Sequence, residues 1–115
     1  MKYAVEYALK APMGGVKLTG GRLKKAFDNN VSFLKGFDVD RMLYWYRVHQ
    51  GKPAPGVPYA SDAGHFENNL KGQTAGEFMM GAGASLLWGE DAELRGMVRR
   101  LLDCIEAGRE SDGFI

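Results

Sequence analysis

The hydrophobic pattern changes period along the chain. From Lys2 to Leu9, Tyr3, Val5, Tyr7 and Leu9 alternate with Lys2, Ala4, Glu6 and Ala8, the period-two signature of a half-buried strand. Pro12, Gly14 and Gly15 make a turn, and Val16 to Leu18 gives a second brief extended piece. Thr19 or Gly20 is then placed to cap a helix. From Leu23 the apolar residues Leu23, Phe27, Val31 and Leu34 recur at spacings of four, four and three, one stripe of a helix that ends at Gly36. Asp38 is placed to cap a second helix, Val39 to His49. That helix carries Met42, Leu43, Trp45, Tyr46 and Val48, too many large apolar groups for a single buried face, so it is expected to be covered on two sides.

Gly51 stops that helix, and Pro53, Pro55, Gly56 and Pro58 hold the next segment extended, because each proline fixes φ and removes a donor. The segment runs on through the polar stretch Tyr59 to Asn69, which shows little periodicity. A third helix is expected from Gln73 to Leu87. Its centre is nearly bare of side chains at Gly76, Gly81, Ala82, Gly83, Ala84 and Ser85. Glycine inside a helix costs about 1 kcal/mol relative to alanine, so these glycines predict close approach of another backbone. Asp91 caps a fourth helix reaching about Ala107, with Leu94, Met97, Val98, Leu101, Leu102 and Ile105 on one face and Arg95, Arg99, Arg100 and Asp103 on the other. Helices three and four, joined at Gly89-Glu90, form an αα-hairpin with an inner small-residue member and an outer amphipathic one. Ser111-Asp112-Gly113 is a turn.

Composition narrows the function classes. The chain has 115 residues, with 15 Lys and Arg against 14 Asp and Glu and a formal charge of +1, so no broad field favours nucleic acid or an anionic membrane. No apolar run approaches a membrane span, and Met1 to Lys10 lacks the basic start and apolar centre of a signal peptide. A soluble, untargeted chain is expected. The single cysteine, Cys104, cannot form an internal disulfide or a multi-cysteine metal site. It sits on the apolar face of the fourth helix as core.

Several segments, in order, carry a family resemblance. They are Val16-Lys-Leu-Thr-Gly-Gly21, Asn30 with Phe33-Leu34, Asp38-Val-Asp-Arg-Met-Leu43, Tyr46-Arg47, Gly51-Lys-Pro53, Leu70-Lys-Gly72, Gly76 to Met79, Leu86-Leu87, Gly89 to Leu94 and Asp112-Gly-Phe-Ile115. Together, from Val16 to Ile115, they resemble the start of the catalytic domain of glycoside hydrolase family 127, the β-L-arabinofuranosidases. The resemblance implies a mainly α fold, with helical hairpins as the first part of an (α/α)6 toroid and a short N-terminal β segment. Residues 1–20 would be the β segment and 21–115 the partial toroid. It also implies retaining hydrolysis of L-arabinofuranosides or related plant or bacterial glycans, by a zinc-held cysteine nucleophile and a glutamate acid. Those groups lie later in such chains, so no cofactor is expected in this segment, which would be inactive alone and would partner carbohydrate and the rest of the toroid. Many members carry histidines where this chain has Gln73 and Glu77.

Gln73 and Glu77, one turn apart, share a face at the amino end of the inner helix, the end that opens to the central pocket of a toroid. The competing role for Glu77 is to complement the helix dipole. Asp62, His65 and Glu67 crowd one loop beside Tyr59. They are candidates for sugar contact, although a solvated loop fits the pattern too, and their spacing matches no metal-ligand signature. Tyr44, Trp45 and Tyr46 suit core packing, with sugar stacking as the alternative, and Trp88 suits an anchor between hairpins. His49 is expected to meet terminal carbonyls of its helix, and Arg95, Arg99 and Arg100 to form a solvated face. The rival to a glycosidase segment is a free-standing helical module whose small-residue helix packs on a second copy.

Overall fold

A computed structural model describes residues 15–62 and 70–114. The alternating segment Lys2 to Leu9 lies outside them. Val16 to Thr19 is irregular, and no strand occurs among the described residues. The fold is mainly α. Five helices follow in order: α1 (Gly21–Lys35), α2 (Val39–Met42), α3 (Tyr44–His49), α4 (Gln73–Trp88) and α5 (Ala92–Glu106).

The core forms where the hairpin meets the helices before it. Leu94 and Leu101 of α5 are fully buried against Ala75, Phe78 and Ala82 of α4, and Leu34, Val39, Met42 and Leu43 complete the cluster. α4 and α5 are joined through Gly89, Glu90 and Asp91, and Asp91 accepts the amide of Leu94 at 2.9 Å. That bond satisfies one of the donors a helix start leaves open. α1 lies across both members: Asn30 donates to the buried Ser85 at 3.2 Å, and Lys35 pairs with Asp91 at 3.1 Å and Glu93 at 3.2 Å. Its apolar stripe is graded along its length, because Leu34 is buried whereas Leu23, near the amino end, is 73% exposed.

The region after Asp38 departs from the expected single helix. Asp38 does cap it, accepting from the amides of Asp40 and Arg41, but Leu43 separates two short helices. Val39, Met42 and Leu43 are buried, whereas α3 contains no buried residue. Coverage on two sides is therefore corrected to coverage of α2 and only half-burial of α3. Arg100 corrects another expectation: it reaches Asp40 at 3.0 Å, and Arg47 reaches the same carboxylate at 2.7 Å. One acid thus ties α5, α2 and α3 together, while Arg95 pairs locally with Glu90.

Among the described residues no backbone approaches the glycines of α4. A Cβ at Gly76 or Gly83 would meet no atom of the described residues within 4 Å, and at Gly81 the nearest neighbour is the Leu34 side chain at 3.5 Å. Close packing is carried by Ala75 and Ala82, both fully buried. The opposite side of α4 is open: Met80 is 76% exposed, Leu87 51% and Trp88 38%. This apolar face of α4 has no cover within the described residues.

This packing has two measurable consequences. Gly76→Ala and Gly83→Ala each remove a helix-interior glycine without creating a contact, and are expected to stabilise the chain by about 0.5–1 kcal/mol in denaturant unfolding; a loss of stability would reveal a neighbour on that face. The second concerns acid. The hydrogen bond from Arg47, helped by Arg100, holds the Asp40 carboxyl below its ordinary value of 3.8, and the Leu94 amide and Lys35 do the same for Asp91. Both groups bind protons less readily when folded, so their stabilisation is present above the unfolded value and is lost as pH falls through the depressed folded values. Melting temperatures followed by circular dichroism are expected to fall below about pH 4. Asp40→Asn and Asp91→Asn should each flatten that acid limb, and an unchanged limb would show that the carboxylate contributes nothing.

Candidate functional site

The amino end of α4 is built by a loop folded back onto it. Arg41 anchors the proline-rich segment by donating to the carbonyls of Val57 at 3.0 Å and Pro58 at 3.4 Å, and its guanidinium lies 4.1 Å from the centre of the Tyr59 ring. The Tyr59 hydroxyl accepts the amide of Asp38 at 2.8 Å, and its ring packs beside Phe37. Asp62 follows, only 1% exposed. Its carboxylate accepts the amide of Thr74 at 3.0 Å, its carbonyl accepts the indole N–H of Trp45 at 2.9 Å, and Ser61 and Thr74 share a hydroxyl hydrogen bond at 2.6 Å. A buried carboxylate is tolerable here because it caps donors at the positive end of a helix.

Gly72 completes the junction. It precedes α4 with a left-handed φ of +88°, and a Cβ there would stand 2.6 Å from the Tyr46 hydroxyl oxygen. Burial raises the Tyr46 phenol above its ordinary value, and the nearby Asp62 charge adds to the effect; both oppose a phenolate.

Gln73 and Glu77 emerge from this support on the exposed side of α4, and the Gln73 amide donates to the Glu77 carboxylate at 2.8 Å. That bond uses one donor and one carboxylate oxygen. The amide carbonyl, its second N–H and the other carboxylate oxygen have no hydrogen-bond partner among the described residues, a mixed donor and acceptor set suited to vicinal hydroxyls. Of the other candidates, Asp62 and Tyr59 hold the loop against the helices and are not open at the surface in the way Gln73 and Glu77 are. His65 and Glu67 lie outside the described residues. His49 does not turn to its own helix carbonyls; its Nε2 stands 3.3 Å from Glu110 and its ring meets the edge of Phe114. The tertiary role of Arg41 was not legible in the sequence, since its partners are backbone carbonyls 16 and 17 residues away.

The family described as β-L-arabinofuranosidase, GH127 catalytic domain matches residues 15–115. The chain belongs to that family. No curated protein and no solved structure matches it. Family 127 membership puts the chain among glycoside hydrolases, with the exposed Gln73 and Glu77 pair on a helix whose apolar side lacks a cover among the described residues. Cys104 packs against the core, its carbonyl accepts from Gln50 at 2.8 Å, and no group of three or more His, Cys, Asp or Glu among the described residues is arranged to hold one metal ion.

The support of the site gives a direct test. Gly72→Ala places a side chain in the left-handed region, at about 1–2 kcal/mol, and forces the Tyr46 hydroxyl to move. Its stability in denaturant is expected to fall by at least that amount, in contrast to the gain expected at Gly76. A neutral Gly72→Ala would mean that the turn before α4 adjusts freely.

Proposed function

We propose that this chain works within a helical-toroid glycoside hydrolase acting on L-arabinofuranosides or related glycans, supplying sugar contacts from Gln73 and Glu77 while the bond-breaking groups come from elsewhere in the toroid. The observation that carries this reading is the solvent-facing Gln73 and Glu77 pair, joined at 2.8 Å and seated on a helix start braced by Asp62. Family membership supports the glycan class. The exposed Met80 and Leu87 on α4 support its role as an inner helix with further helices beside it.

Glutamate and glutamine differ from imidazole in what they offer a sugar. An ionised Glu77 only accepts, so it selects hydroxyl donors, whereas Gln73 both donates and accepts. The pair therefore binds and orients, and proton transfer to the leaving group falls to other residues. Zinc is implied by the family resemblance alone, and no step assigned to this chain's residues passes through it.

A second reading, self-association of a free-standing module, is favoured by the same open face of α4, since a second copy covers apolar surface as well as a neighbouring hairpin does. It gives Gln73 and Glu77 no role in binding substrate, which separates the two. In the complete protein, Glu77→Ala is expected to lower kcat/KM on aryl L-arabinofuranosides by about 10- to 100-fold, the value of a charged hydrogen bond to substrate, with most of the change in KM. An unchanged kcat/KM would remove Glu77 from the substrate site and favour the module.

A further inference from the structure

The half-buried aromatics of α3 do more than serve the core, against which Tyr46 packs. They line a separate cleft of about 260 Å³ with walls of Trp45, Tyr46, His49, Lys71, Gly72 and Phe114. Three stretches of chain far apart in sequence converge there: α3, the turn before α4, and the turn after α5. Each wall is held in place. The Trp45 indole is fixed by its N–H bond to Asp62 and crossed edge-on by Tyr44, with ring centres 5.1 Å apart. The Lys71 ammonium sits 4.6 Å from the centre of the Trp45 ring. His49 is braced by Glu110, and Phe114 stands edge-on to it with ring centres 6.0 Å apart. Phe114 is itself set by a turn in which its carbonyl accepts the amide of Glu110 at 2.8 Å and its amide donates to Asp112 at 3.0 Å.

We propose that this cleft is a second saccharide subsite, one that takes a sugar ring bearing a carboxylate, with the ring's C–H surface against the aromatic side chains and the acid toward Lys71. The inference rests on the reading that the substrate is a glycan. Aromatic side chains at the edge of a water-filled cleft offer apolar surface to the C–H face of a sugar while leaving its hydroxyls solvated. Lys71 is the ammonium-bearing group of the lining, and no carboxylate of the described residues pairs with it. The Glu110 charge is turned to His49. Among the described residues a neutral sugar leaves the ammonium without a counter-charge, whereas a uronate supplies one. The cleft ends at Gly72, the residue before Gln73, so both proposed contact regions share the amino end of α4.

The experiment uses tryptophan emission. The chain has two tryptophans, and Trp88 lies at the far end of α4, so Trp88→Phe leaves Trp45 as the reporter. Glucuronate is expected to shift Trp45 emission saturably, and glucose, with the same ring but no acid, to bind about fivefold more weakly, as an exposed ion pair allows. Lys71→Met should abolish that preference. The Gly72 amide resonance in the unsubstituted protein provides a second readout should Trp88→Phe fail to fold. No saturable response to either sugar, equal affinity for both, or a preference that survives Lys71→Met overturns the proposal. The readout needs no turnover, so an inert Glu77→Ala assay beside a positive titration sinks the Glu77 role alone, and the reverse result sinks the cleft alone.

Discussion

The Asp62 carboxylate, accepting the amide of Thr74 at 3.0 Å inside the protein, is the bond on which the arrangement around α4 depends. A helix start exposes amides that need acceptors, and here the acceptor comes from a loop and not from the residue preceding the helix. Gly72, in the capping position, has no side chain to offer. Because the same residue's carbonyl also holds the Trp45 indole, one buried residue sets the position of the loop, of α4 and of α3. Removing the carboxylate would leave the Thr74 amide buried without that acceptor, the kind of unmet donor that costs more than an average hydrogen bond gains.

Packing of the hairpin is the complementary constraint. Ala75 and Ala82 bring α4 close to its neighbours without filling the space that Phe78, Leu94 and Leu101 occupy. The buried side of α4 is thereby complete among the described residues, while its other side offers Gln73 and Glu77 at the amino end and Met80 and Leu87 farther along. Polar groups at the mouth and apolar groups below them suit a helix that lines a sugar site at one end and packs against further helices along its length. This gradation along one helix connects family 127 membership to a physical role for the chain.

Much of this was legible locally. Helix periods located α1, α4 and α5, Asp38 and Asp91 announced themselves as caps, and Gly36 and Gly89 as stops, because periodicity and capping depend on neighbours within one or two turns. The pairing of Gln73 with Glu77 was legible for the same reason: residues four apart on a helix share a face whatever surrounds them. Family membership was carried by the order of short motifs from Val16 onward.

Tertiary structure decided the rest. The glycines of α4 were expected to meet a backbone, and among the described residues Gly76 and Gly83 meet none, because composition shows that a side chain is missing and not what stands opposite. Arg100 and Arg47 converge on Asp40, and Asp62 turns inward to a helix amide, through contacts between residues up to 60 positions apart. The aromatic cleft of α3 likewise needs the turn before α4 and the turn after α5 to exist at all. The sequence by itself determined where α1, α4 and α5 begin and stop and that Asp38 starts a helix, though not the break at Leu43, since starts and stops are short-range consequences of backbone hydrogen bonding. Which charged and aromatic groups became braces and which became surface was settled only when distant segments packed together, since burial and pairing are properties of the assembled neighbourhood.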